Sequence, residues 1–586
     1  MAASSQTNYN RFLLLVAGLG GLLYGVDVGI IAGALPYLEA TSGLSPGKLS
    51  FIVAAVLLGS VISTLFAGVL ADKMGRKTLM ACSGVLFVLS IPVIALAHGY
   101  GPLVLGRLLQ GVSAGLIGVV IPLYLAECLD PADRGKGTGI FQWLLTLGIV
   151  AAAIIGMYFS HRVDQVAKLG DPAQLFAFKD SAWRGIFWVS LPPGVLFVIG
   201  SLMVAESPRW LFRQGKKEEA LAALLRSRDE QQASVELEEM ETAAAAERAK
   251  STSGGGARES LFHRKYVIPF ILACIILACN QATGVNSIIG YNTTILLQGG
   301  LADVQAHLGY LILTTVNFLV TIGAVVLVDR KGRKFLLSLG SAGIIASLLC
   351  VGVLFRNTES RRVDCREALQ AMVTTNQDLS VSYNSRLAGA LSSGVSSPDH
   401  PTTLVVIYSY GDFRGATQPV RSDDKTAKPV TIARSDSVPD NKVVAFFSNP
   451  FANVDAAKTA PLKIENALIT PVPSEQTGWL VAICLFAFMA FFAVGPGVCV
   501  WLALSELMPT RIRSNGMSIA LLINQAVSTT IAAFFLPTVG RYGYSTMFFA
   551  FAGCTVVYFI TAAFFLPETK GKTLEEIEAH FEGRQR

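Results

Sequence analysis

Twelve long apolar runs constrain this chain more than any other feature of its sequence. A helix needs roughly 20 apolar residues to cross a bilayer core of about 30 Å. Charged residues make up only 15% of the chain, against roughly 25% in soluble globular proteins, so a soluble fold of this size would lack surface charge. We predict an all-α membrane protein with these spans: Leu13–Tyr37, Leu49–Ala71, Leu79–Ala97, Pro102–Ala126, Thr138–Phe159, Gly185–Ala205, Tyr266–Leu297, Leu308–Val328, Phe335–Phe355, Gly478–Ser505, Met517–Pro537 and Ser545–Leu566.

A long polar stretch, Arg356–Gln476, interrupts the second set of six runs. It is rich in Ser, Thr, Asp and Pro, and its short apolar runs at Thr403–Tyr408 and Val443–Phe447 predict β-strands. It also holds Cys365, the one cysteine in a polar segment, with no obvious disulfide partner there. We therefore predict an extra, strand-containing insert between spans 9 and 10.

Basic residues fix the expected orientation. They crowd the loops at 73–77, 134–136, 330–334 and 511–513, and the segment Ser207–Lys265, whose Lys216–Glu247 portion predicts surface helix before a flexible break at Ser251–Gly256. With twelve spans, these segments all fall on one side together with both termini. Lys and Arg mark the cytoplasmic face of membrane proteins, so we expect cytoplasmic termini, an extracytoplasmic insert and a location in the cell (inner) membrane.

The two sets of six runs repeat one another. The loop after span 2 has the sequence ADKMGRK (71–77), and the loop after span 8 has VDRKGRK (328–334). Glu127 and Arg134 after span 4 recur at the same spacing as Glu506 and Arg513 after span 10. Positive-inside bias does not explain the Asp and Gly at fixed offsets. Two parallel six-span halves are the plan of secondary transporters such as the major facilitator fold.

Acidic and basic residues at matching helix ends predict gating ion pairs on the cytoplasmic side. Such bonds can form in one state and break in another, which makes the element bistable. The residues that we assign to these pairs are Asp72, Arg76, Glu127, Arg134, Glu206, Asp329, Arg333, Glu506, Arg513 and Glu568.

These loops, together with ESPRW (206–210) after span 6 and PETKG (567–571) after span 12, resemble the sugar porter family of the major facilitator superfamily. The family includes facilitative glucose carriers and bacterial proton–sugar symporters. The resemblance covers nearly the whole chain except Arg356–Gln476. Six motifs in order at the right span boundaries make it specific.

Amide side chains inside the spans are the main chemical signal. A sugar hydroxyl both donates and accepts hydrogen bonds, as an amide does, and buried amides are costly in a bilayer without partners. Hydrogen bonding between spans is the alternative explanation for any single amide. The resemblance implies that sugar contacts Gln142, Gln281, Asn286, Asn317, Trp501 and Asn524, to which we add Asn280 and Tyr24.

Two positions depart from the family pattern around span 7. Asn280 stands where the family has the first Gln of its Gln-Gln-x-x-Gly-x-Asn motif, and Gly290 replaces the first Tyr of a Tyr-Tyr pair, which leaves Tyr291 alone. Gly495-Pro496-Gly497 in span 10 predicts a helix break. The departures leave the particular sugar open.

Asp27 is the only acid inside the first span, and Arg107 in span 4 is the available cation. An ionised Asp in a span costs roughly 2.5–3.5 kcal/mol on insertion scales, so it persists only if it is paired or titrates. In the family's proton symporters, matching residues form the proton-coupling pair, and the facilitative carriers generally lack the Asp. A permanent salt bridge that only assembles the first half is the alternative.

Together these observations predict uptake of a monosaccharide by alternating access in symport with protons. A facilitative sugar or polyol carrier and a non-transporting sugar sensor are the alternatives. No catalytic cluster, metal-ligand spacing or phosphate-binding loop stands out, so we expect that the protein is not an enzyme and has no cofactor. The net charge of +6 is too weak to indicate nucleic-acid binding. No obligatory protein partner is evident. The expected divisions are two half-bundles (1–206; 266–355 with 477–567), a cytoplasmic linker (207–265), the insert (356–476) and a cytoplasmic tail (568–586).

Overall fold

The computed structural model describes the chain except residues 1, 130–133, 253–262, 393–400, 418, 425–428, 440–451, 509–512, 569–580 and 582–586. Within that part, twelve helical spans are long and apolar enough to cross a membrane. The prediction of twelve spans is therefore confirmed, and the protein is a multi-pass membrane protein. The spans are Gln6–Ser42, Pro46–Met74, Arg76–Ala95, Tyr100–Cys128, Gly139–Ala167, Pro172–Met203, Tyr266–Gly290, Asp303–Val328, Arg333–Glu359, Glu475–Val500, Ile519–Tyr542 and Tyr544–Phe565.

The helices that build these spans and their connections are numbered here in chain order. Those of the first half and the linker are α1 Ala2–Ser42, α2 Pro46–Met74, α3 Arg76–Ala95, α4 Tyr100–Cys128, α5 Arg134–Ala167, α6 Pro172–Trp188, α7 Leu191–Met203, α8 Pro208–Arg213, α9 Lys217–Ser227 and α10 Glu230–Thr252. Those of the second half and the insert are α11 Arg264–Ala282, α12 Val285–Gly290, α13 Asn292–Gln298, α14 Asp303–Lys331, α15 Arg333–Glu359, α16 Arg366–Gln370, α17 Ser385–Leu391, α18 Val454–Ala457, α19 Glu475–Val494, α20 Pro496–Leu507, α21 Arg513–Tyr542 and α22 Tyr544–Ile560.

Span 6 begins earlier than its apolar run predicts. Helix α6 starts at Pro172, where the side chain of Asp171 caps the amides of Ala173 and Gln174. The first turns carry Lys179 and Asp180, which an apolar count excludes. The predicted bound at Gly185 is therefore too late, because charged residues can occupy a span end where it meets water.

Two spans are broken where glycine allows it. Span 7 is interrupted at Gly284, whose φ of +83° lies in the left-handed region, and a Cβ there would lie 2.4 Å from the Phe551 ring. Span 10 breaks at Gly495, between α19 and α20, as the Gly-Pro-Gly sequence predicts. Broken spans leave backbone and side chains facing the interior of the bundle.

The two half-bundles make their most extensive contacts along four spans. Span 2 packs against span 11, and span 5 packs against span 8. Inside the first half, span 1 packs closely on span 5, where a Cβ on Gly25 would lie 1.9 Å from the Leu145 carbonyl oxygen. Such small residues let membrane helices approach at backbone distance.

The insert is a small α/β unit. Its main sheet has the antiparallel order β1-β7-β3-β4, with β5 also paired to β3, and β2 pairs with β6 in a second sheet. A bulge between Ile407 and Tyr408 shifts the register of β3 on β7. The strands are β1 Val363–Asp364, β2 Leu379–Val381, β3 Thr402–Tyr410, β4 Phe413–Ala416, β5 Val420–Arg421, β6 Val430–Ile432 and β7 Leu462–Pro471.

The predicted strand at Thr403–Tyr408 is confirmed within β3, whereas the second predicted run, Val443–Phe447, lies outside the described residues. Cys365 is buried, with 4% of its surface exposed, in the insert's own apolar core beside Leu404 and Ile469. Burial, the largest cause, and the neighbouring Asp364 carboxylate raise the pKa of the Cys365 thiol to about 11. Cys365 is therefore a core residue, and its thiol is not exposed to a labelling reagent at the surface.

We call the end of the bundle that carries 356–476 the insert face, and the opposite end, which carries α8–α10, the linker face. Helices α9 and α10 confirm the predicted surface helix at Lys216–Glu247. The start of span 1 contacts this region, because the amides of Gln6 and Asn10 donate to the carbonyls of Arg228 and Ser227. Of the predicted break at Ser251–Gly256, residues from 253 on lie outside the described part.

Candidate functional site

Amide side chains from spans 7 and 11 form one hydrogen-bonded cluster. Gln281 donates to Asn524 over 3.2 Å, and Asn286 donates to Gln281 over 2.9 Å. Asn286 also donates to the Ser528 hydroxyl over 2.8 Å, and Asn524 donates to the Leu277 carbonyl over 3.0 Å. The break at Gly284 lies between Gln281 and Asn286, and both side chains reach span 11, Gln281 at Asn524 and Asn286 at Ser528. Three of the predicted sugar contacts therefore converge.

The remaining predicted contacts are arranged more loosely. Asn280 is 3% exposed, and its Oδ1 has no hydrogen-bond partner among the described residues. Tyr24 of span 1 lies near the Asp27 carboxylate. Its hydrogen bond with the side chain of Gln525 links spans 1 and 11. Gln142 and Asn317 are half-buried on spans 5 and 8. The side chain of Trp501 lies outside the described part of the chain.

An aromatic pair next to these amides was missed by the sequence argument. Trp143 follows Gln142, Phe318 follows Asn317, and their rings stack with centroids 5.6 Å apart across the two halves. Trp143 is 44% exposed. A stacked pair between the half-bundles can supply the apolar face that a sugar ring packs against.

Asp27 and Arg107 are both buried, and they approach one another without a close hydrogen bond. The shortest distance, from Arg107 Nη1 to Asp27 Oδ1, is 3.6 Å, and the two side chains are 2% and 1% exposed. Arg107 Nη1 instead donates to Gln110 over 2.7 Å. Neither oxygen of Asp27 has a hydrogen-bond partner among the described residues. Gln110, one turn from Arg107 on α4, is thus a partner that the sequence argument missed.

A buried ion-pair network, which we call the linker-face cluster, joins the start of span 3 to the ends of spans 2 and 4 and to the residues after span 6. The Arg76 guanidinium contacts both oxygens of Glu127 at 2.8 Å, from Nε and Nη2, and Asp72 at 3.0 Å. Ser207 donates its hydroxyl to Glu127. Arg76 is 1% exposed and Glu127 is 6% exposed, so the pair is held away from water.

Glu206 and Glu568 occupy equivalent places in the two halves. Glu206 accepts from the amides of Arg76 and Lys77 at 2.8 and 3.0 Å. Glu568 accepts from the amides of Arg333 and Lys334 at 3.0 and 3.2 Å. Each carboxylate thus caps the N-terminus of a span, where the helix dipole favours negative charge. The glycines that precede these spans, Gly75 and Gly332, have matching φ values of +89° and +87°.

Four predicted gating residues cannot be placed in these contacts. The side chains of Arg134, Asp329, Glu506 and Arg513 lie outside the described part of the chain. The linker-face contacts given above each join elements of the same half. Their role in gating stays a prediction.

A second cluster, the insert-face cluster, ties the two halves together at the other end. Asp303 at the start of span 8 accepts from the hydroxyls of Tyr37 and Ser160, at 2.7 and 2.5 Å. His307, which is fully buried, stacks on Tyr37 with ring centroids 5.6 Å apart and contacts the Gly33 carbonyl at 3.2 Å. These residues come from spans 1, 5 and 8, so the described conformation is closed between the halves at the insert face.

The insert-face cluster was not predicted, although its Asp-x-x-x-His spacing at a helix start was visible. Glu359 was missed as well. It lies at the end of span 9, pairs with Arg362 at 3.0 Å and accepts from the Ser545 amide at 3.3 Å. This carboxylate faces Gly543, whose φ of +90° matches those of Gly75 and Gly332. It fixes the first residues of the insert to span 12.

The comparisons with known proteins agree with this architecture. A family model described as "Sugar (and other) transporter" matches residues 13–374 and 464–581, which leaves out most of the insert. The chain is 26% identical over 583 residues to the glucose transporter GlcP of Staphylococcus epidermidis, covering 98% of each protein. It is 25% identical over 573 residues to the arabinose-proton symporter of Bacillus subtilis, covering 97% of this chain and 94% of the relative.

A solved structure has the same fold. The partially occluded, inward-open xylose transporter XylE from E. coli superposes with a TM-score of 0.64 at 20% identity, covering 97% of this chain and all of that chain. At this identity the likeness concerns the fold alone, and it confirms the predicted major facilitator architecture.

Proposed function

This chain belongs to the sugar transporter family, whose members are transporters rather than enzymes, and on that premise we propose that it takes up a monosaccharide by alternating access in symport with protons. The observation that carries the proposal is the amide cluster of Gln281, Asn286 and Asn524. These side chains satisfy one another's hydrogen-bonding groups. A sugar hydroxyl, which both donates and accepts, can replace each of these bonds.

Proton coupling rests on Asp27 and Arg107. A carboxylate with no hydrogen-bond donor among the described residues, at 3.6 Å from its cation, is poorly stabilised in a dry span. A closer approach to Arg107 favours the charged form, whereas separation favours protonation. A carboxyl group that alternates between these surroundings carries a proton with the sugar. The similarity to an arabinose-proton symporter supports this coupling.

The driving force is sufficient for accumulation. A potential of 100 mV supplies about 2.3 kcal/mol per charge, and one pH unit supplies about 1.4 kcal/mol. One proton per sugar therefore supports a concentration ratio of several hundredfold, since each 1.4 kcal/mol is about tenfold. A facilitator, in contrast, would equalise the two concentrations.

The proposed site and gate residues follow from the same scheme. Sugar is held by the amide cluster together with Gln142, Asn280, Asn317, Trp501 and Tyr24. The linker-face cluster and its counterparts Arg134, Asp329, Arg333, Glu506, Arg513 and Glu568 close and open the linker side. We place the linker face in the cytoplasm, because its loops carry the excess of Lys and Arg.

The general test is uptake of a labelled sugar panel into proteoliposomes, with and without an imposed pH gradient. We expect at least one monosaccharide to accumulate above the external concentration only when the gradient is present. Equilibration without accumulation would favour a facilitative carrier, and competition by inositols would favour polyols. Binding without uptake would favour a sugar sensor.

Replacing Gln281 by Ala is expected to weaken sugar binding by about five- to 150-fold, because a buried hydroxyl partner is left unpaired at a cost of roughly 1–3 kcal/mol. Asn317→Ala should act in the same direction. Binding is measured by equilibrium dialysis on purified protein, and thermal unfolding checks that the variants are folded. Gln165→Ala, which removes an exposed amide, is the matched control. Parental affinity in both site variants would contradict the proposed sugar site.

Membrane topology can be tested on the insert. A membrane-impermeant maleimide is expected to leave Cys365 unmodified in native protein at pH 7.5, because the thiol is buried and its pKa is raised to about 11. Reactivity should rise with pH and after unfolding. Ser435→Cys, at an exposed position of the insert, should be labelled from outside intact or outer-permeabilised cells. If that variant is labelled only after the inner membrane is opened, the insert lies on the cytoplasmic side and the proposed orientation is wrong.

A further inference from the structure

A cavity of about 770 Å³ lies between the insert and the ends of the spans at the insert face. Its lining comes from spans 1, 2, 5, 6 and 8, from α13 and from the insert strands β3, β4, β5 and β6. Ligand pockets in proteins have volumes of roughly 300–1,000 Å³. We call this space the vestibule. It is separate from the amide cluster, because none of Gln281, Asn286 and Asn524 lines it.

The insert is held in place over the bundle at both of its ends. At the entry, Glu359 binds Arg362 and the Ser545 amide. At the exit, Gln305 of span 8 donates to Glu475 over 2.5 Å. These contacts tie the start of the insert to span 12 and its end to span 8. The vestibule is therefore formed by two parts of the molecule with fixed attachment points.

The lining of the vestibule carries both negatively and positively charged side chains. Five carboxylates and three cationic side chains line the vestibule, next to apolar and aromatic groups. An anion would be repelled by the carboxylates of this lining, and a cation would be repelled by its basic side chains. A neutral molecule with many hydroxyl groups is complemented, because each hydroxyl donates to a carboxylate or accepts from an ammonium or guanidinium group.

One buried hydroxyl in this lining lacks a partner. Thr294 on α13 is 5% exposed, and its Oγ1 has no hydrogen-bond partner among the described residues. An unpaired buried hydroxyl destabilises the fold, and a ligand hydroxyl in the vestibule would remove this penalty. Because Thr294 lines the vestibule and a helical Thr has two accessible χ1 rotamers, its hydroxyl can rotate to bond an incoming group.

We propose that the vestibule is a second carbohydrate-binding site, in which the insert captures a neutral sugar or a short oligosaccharide before it reaches the central site. The site rests on the proposed function for its ligand class. Arg421 of β5, whose Nε and Nη2 donate to Asp423 at 2.9 and 2.8 Å and so fix its guanidinium, and Thr294 of α13 bind hydroxyls from the insert wall and the bundle wall. Asp303 lies at the floor, where it also accepts from Tyr37 and Ser160 across the two halves.

The position of Asp303 couples capture to opening. A sugar hydroxyl that donates to Asp303 competes with Tyr37 and Ser160 for the same carboxylate. Each bond lost in this way weakens the contact between the halves at the insert face. Occupancy of the vestibule therefore favours the conformation in which the central site opens towards the insert, since a ligand shifts a population by its differential affinity.

The test counts binding sites on the purified full-length protein. Labelled D-glucose, D-xylose, L-arabinose and maltotriose are used as probes in equilibrium dialysis. For the monosaccharide that is transported, we expect two sites per chain. Gln281→Ala should weaken the central site and leave the vestibule site. Arg421→Gln should weaken the vestibule site by about tenfold, as expected for loss of a hydrogen bond to a charged group, and leave the central site.

Arg414→Gln is the matched control, because Arg414 pairs with Glu465 on the same sheet and does not line the vestibule. It should bind like the parent. A probe such as maltotriose that binds the parent and Gln281→Ala equally, but not Arg421→Gln, identifies an oligosaccharide as the vestibule ligand. This outcome supports the vestibule even if no monosaccharide is transported, so the two proposals can fail separately.

Excision of the insert provides the second measurement. Val363 of β1 and Ile469 of β7 are cross-strand partners, so their Cα atoms lie about 5 Å apart and a short Gly/Ser loop can replace 363–469. We expect transport to survive with an unchanged maximal rate and a KM raised by about tenfold, because capture is lost but the central site remains. A single sugar site in the parent, or an unchanged KM together with parental binding in Arg421→Gln, would overturn the vestibule proposal.

Discussion

Replacing Asp27 by Asn is expected to abolish sugar accumulation driven by a pH gradient while sugar exchange continues. Asparagine keeps the shape of the side chain and mimics the protonated acid, but it cannot release a proton. Counterflow, which needs no net proton movement, should therefore proceed near the parental rate. The measurement compares counterflow with pH-driven uptake for the same variant in liposomes.

The geometry around Asp27 explains why the effect should be so selective. The carboxylate is 1% exposed and 3.6 Å from Arg107, whose guanidinium is bonded to Gln110 instead. A permanent structural salt bridge would be expected to show close, charge-assisted hydrogen bonds. A loosely paired acid is better suited to gaining and losing a proton as its distance to Arg107 changes.

Two companion variants make this result interpretable. Asp180→Asn removes a partly exposed carboxylate at the start of span 6 and should keep pH-driven accumulation. Arg107→Gln should be less well tolerated than Asp27→Asn, because it leaves a buried acid without its cation, at a cost of roughly 3–5 kcal/mol. If pH-driven accumulation survives in Asp27→Asn, the proton travels elsewhere. If the parent never accumulates sugar, Asp27 serves as an ion-pair partner in a facilitator.

Features that a bilayer or a repeat imposes could be predicted from the sequence. The twelve spans follow from apolar length, and the break at Gly495 follows from Gly-Pro-Gly. The convergence of Gln281, Asn286 and Asn524 follows from the family resemblance. Glu206 was predictable only as a charge after span 6; that its carboxylate caps the amides of Arg76 and Lys77 at the start of span 3 is seen only in the structure.

Contacts between polar residues at distant span ends could not be predicted. Tyr37, Ser160 and Asp303 lie at span ends, where water can satisfy a polar side chain as well as another residue can. No local sequence pattern selects one partner over another. The insert posed the same difficulty, because β3 pairs with β7 from the far end of the segment, so its sheet is set by packing rather than by local sequence. Cys365 illustrates the consequence: its neighbours in the chain are polar, yet it lies in a core.

The second large effect is expected at the linker-face cluster. Arg76→Gln removes both contacts to Glu127 and leaves a buried, uncompensated carboxylate, which typically costs about 3–5 kcal/mol. If this network stabilises one state of the transport cycle, turnover should fall by more than about tenfold, since each 1.36 kcal/mol changes a rate about tenfold. Sugar affinity should change much less, because the cluster lies at the span ends, away from the amide cluster.

The double variant Arg76→Gln with Glu127→Gln separates pairing from simple damage. Removing both charges eliminates the uncompensated carboxylate, so part of the lost thermal stability and turnover should return. Lys217→Gln, which breaks an exposed pair with Glu241, should change stability by at most about 1 kcal/mol and leave turnover unaltered. Turnover from counterflow, sugar affinity from dialysis and unfolding temperature are measured on all variants. Parental turnover in Arg76→Gln would rule out a gating role for this pair. Lower turnover with unchanged sugar affinity, together with recovery in the double variant, would establish that the buried pair controls the conformational step.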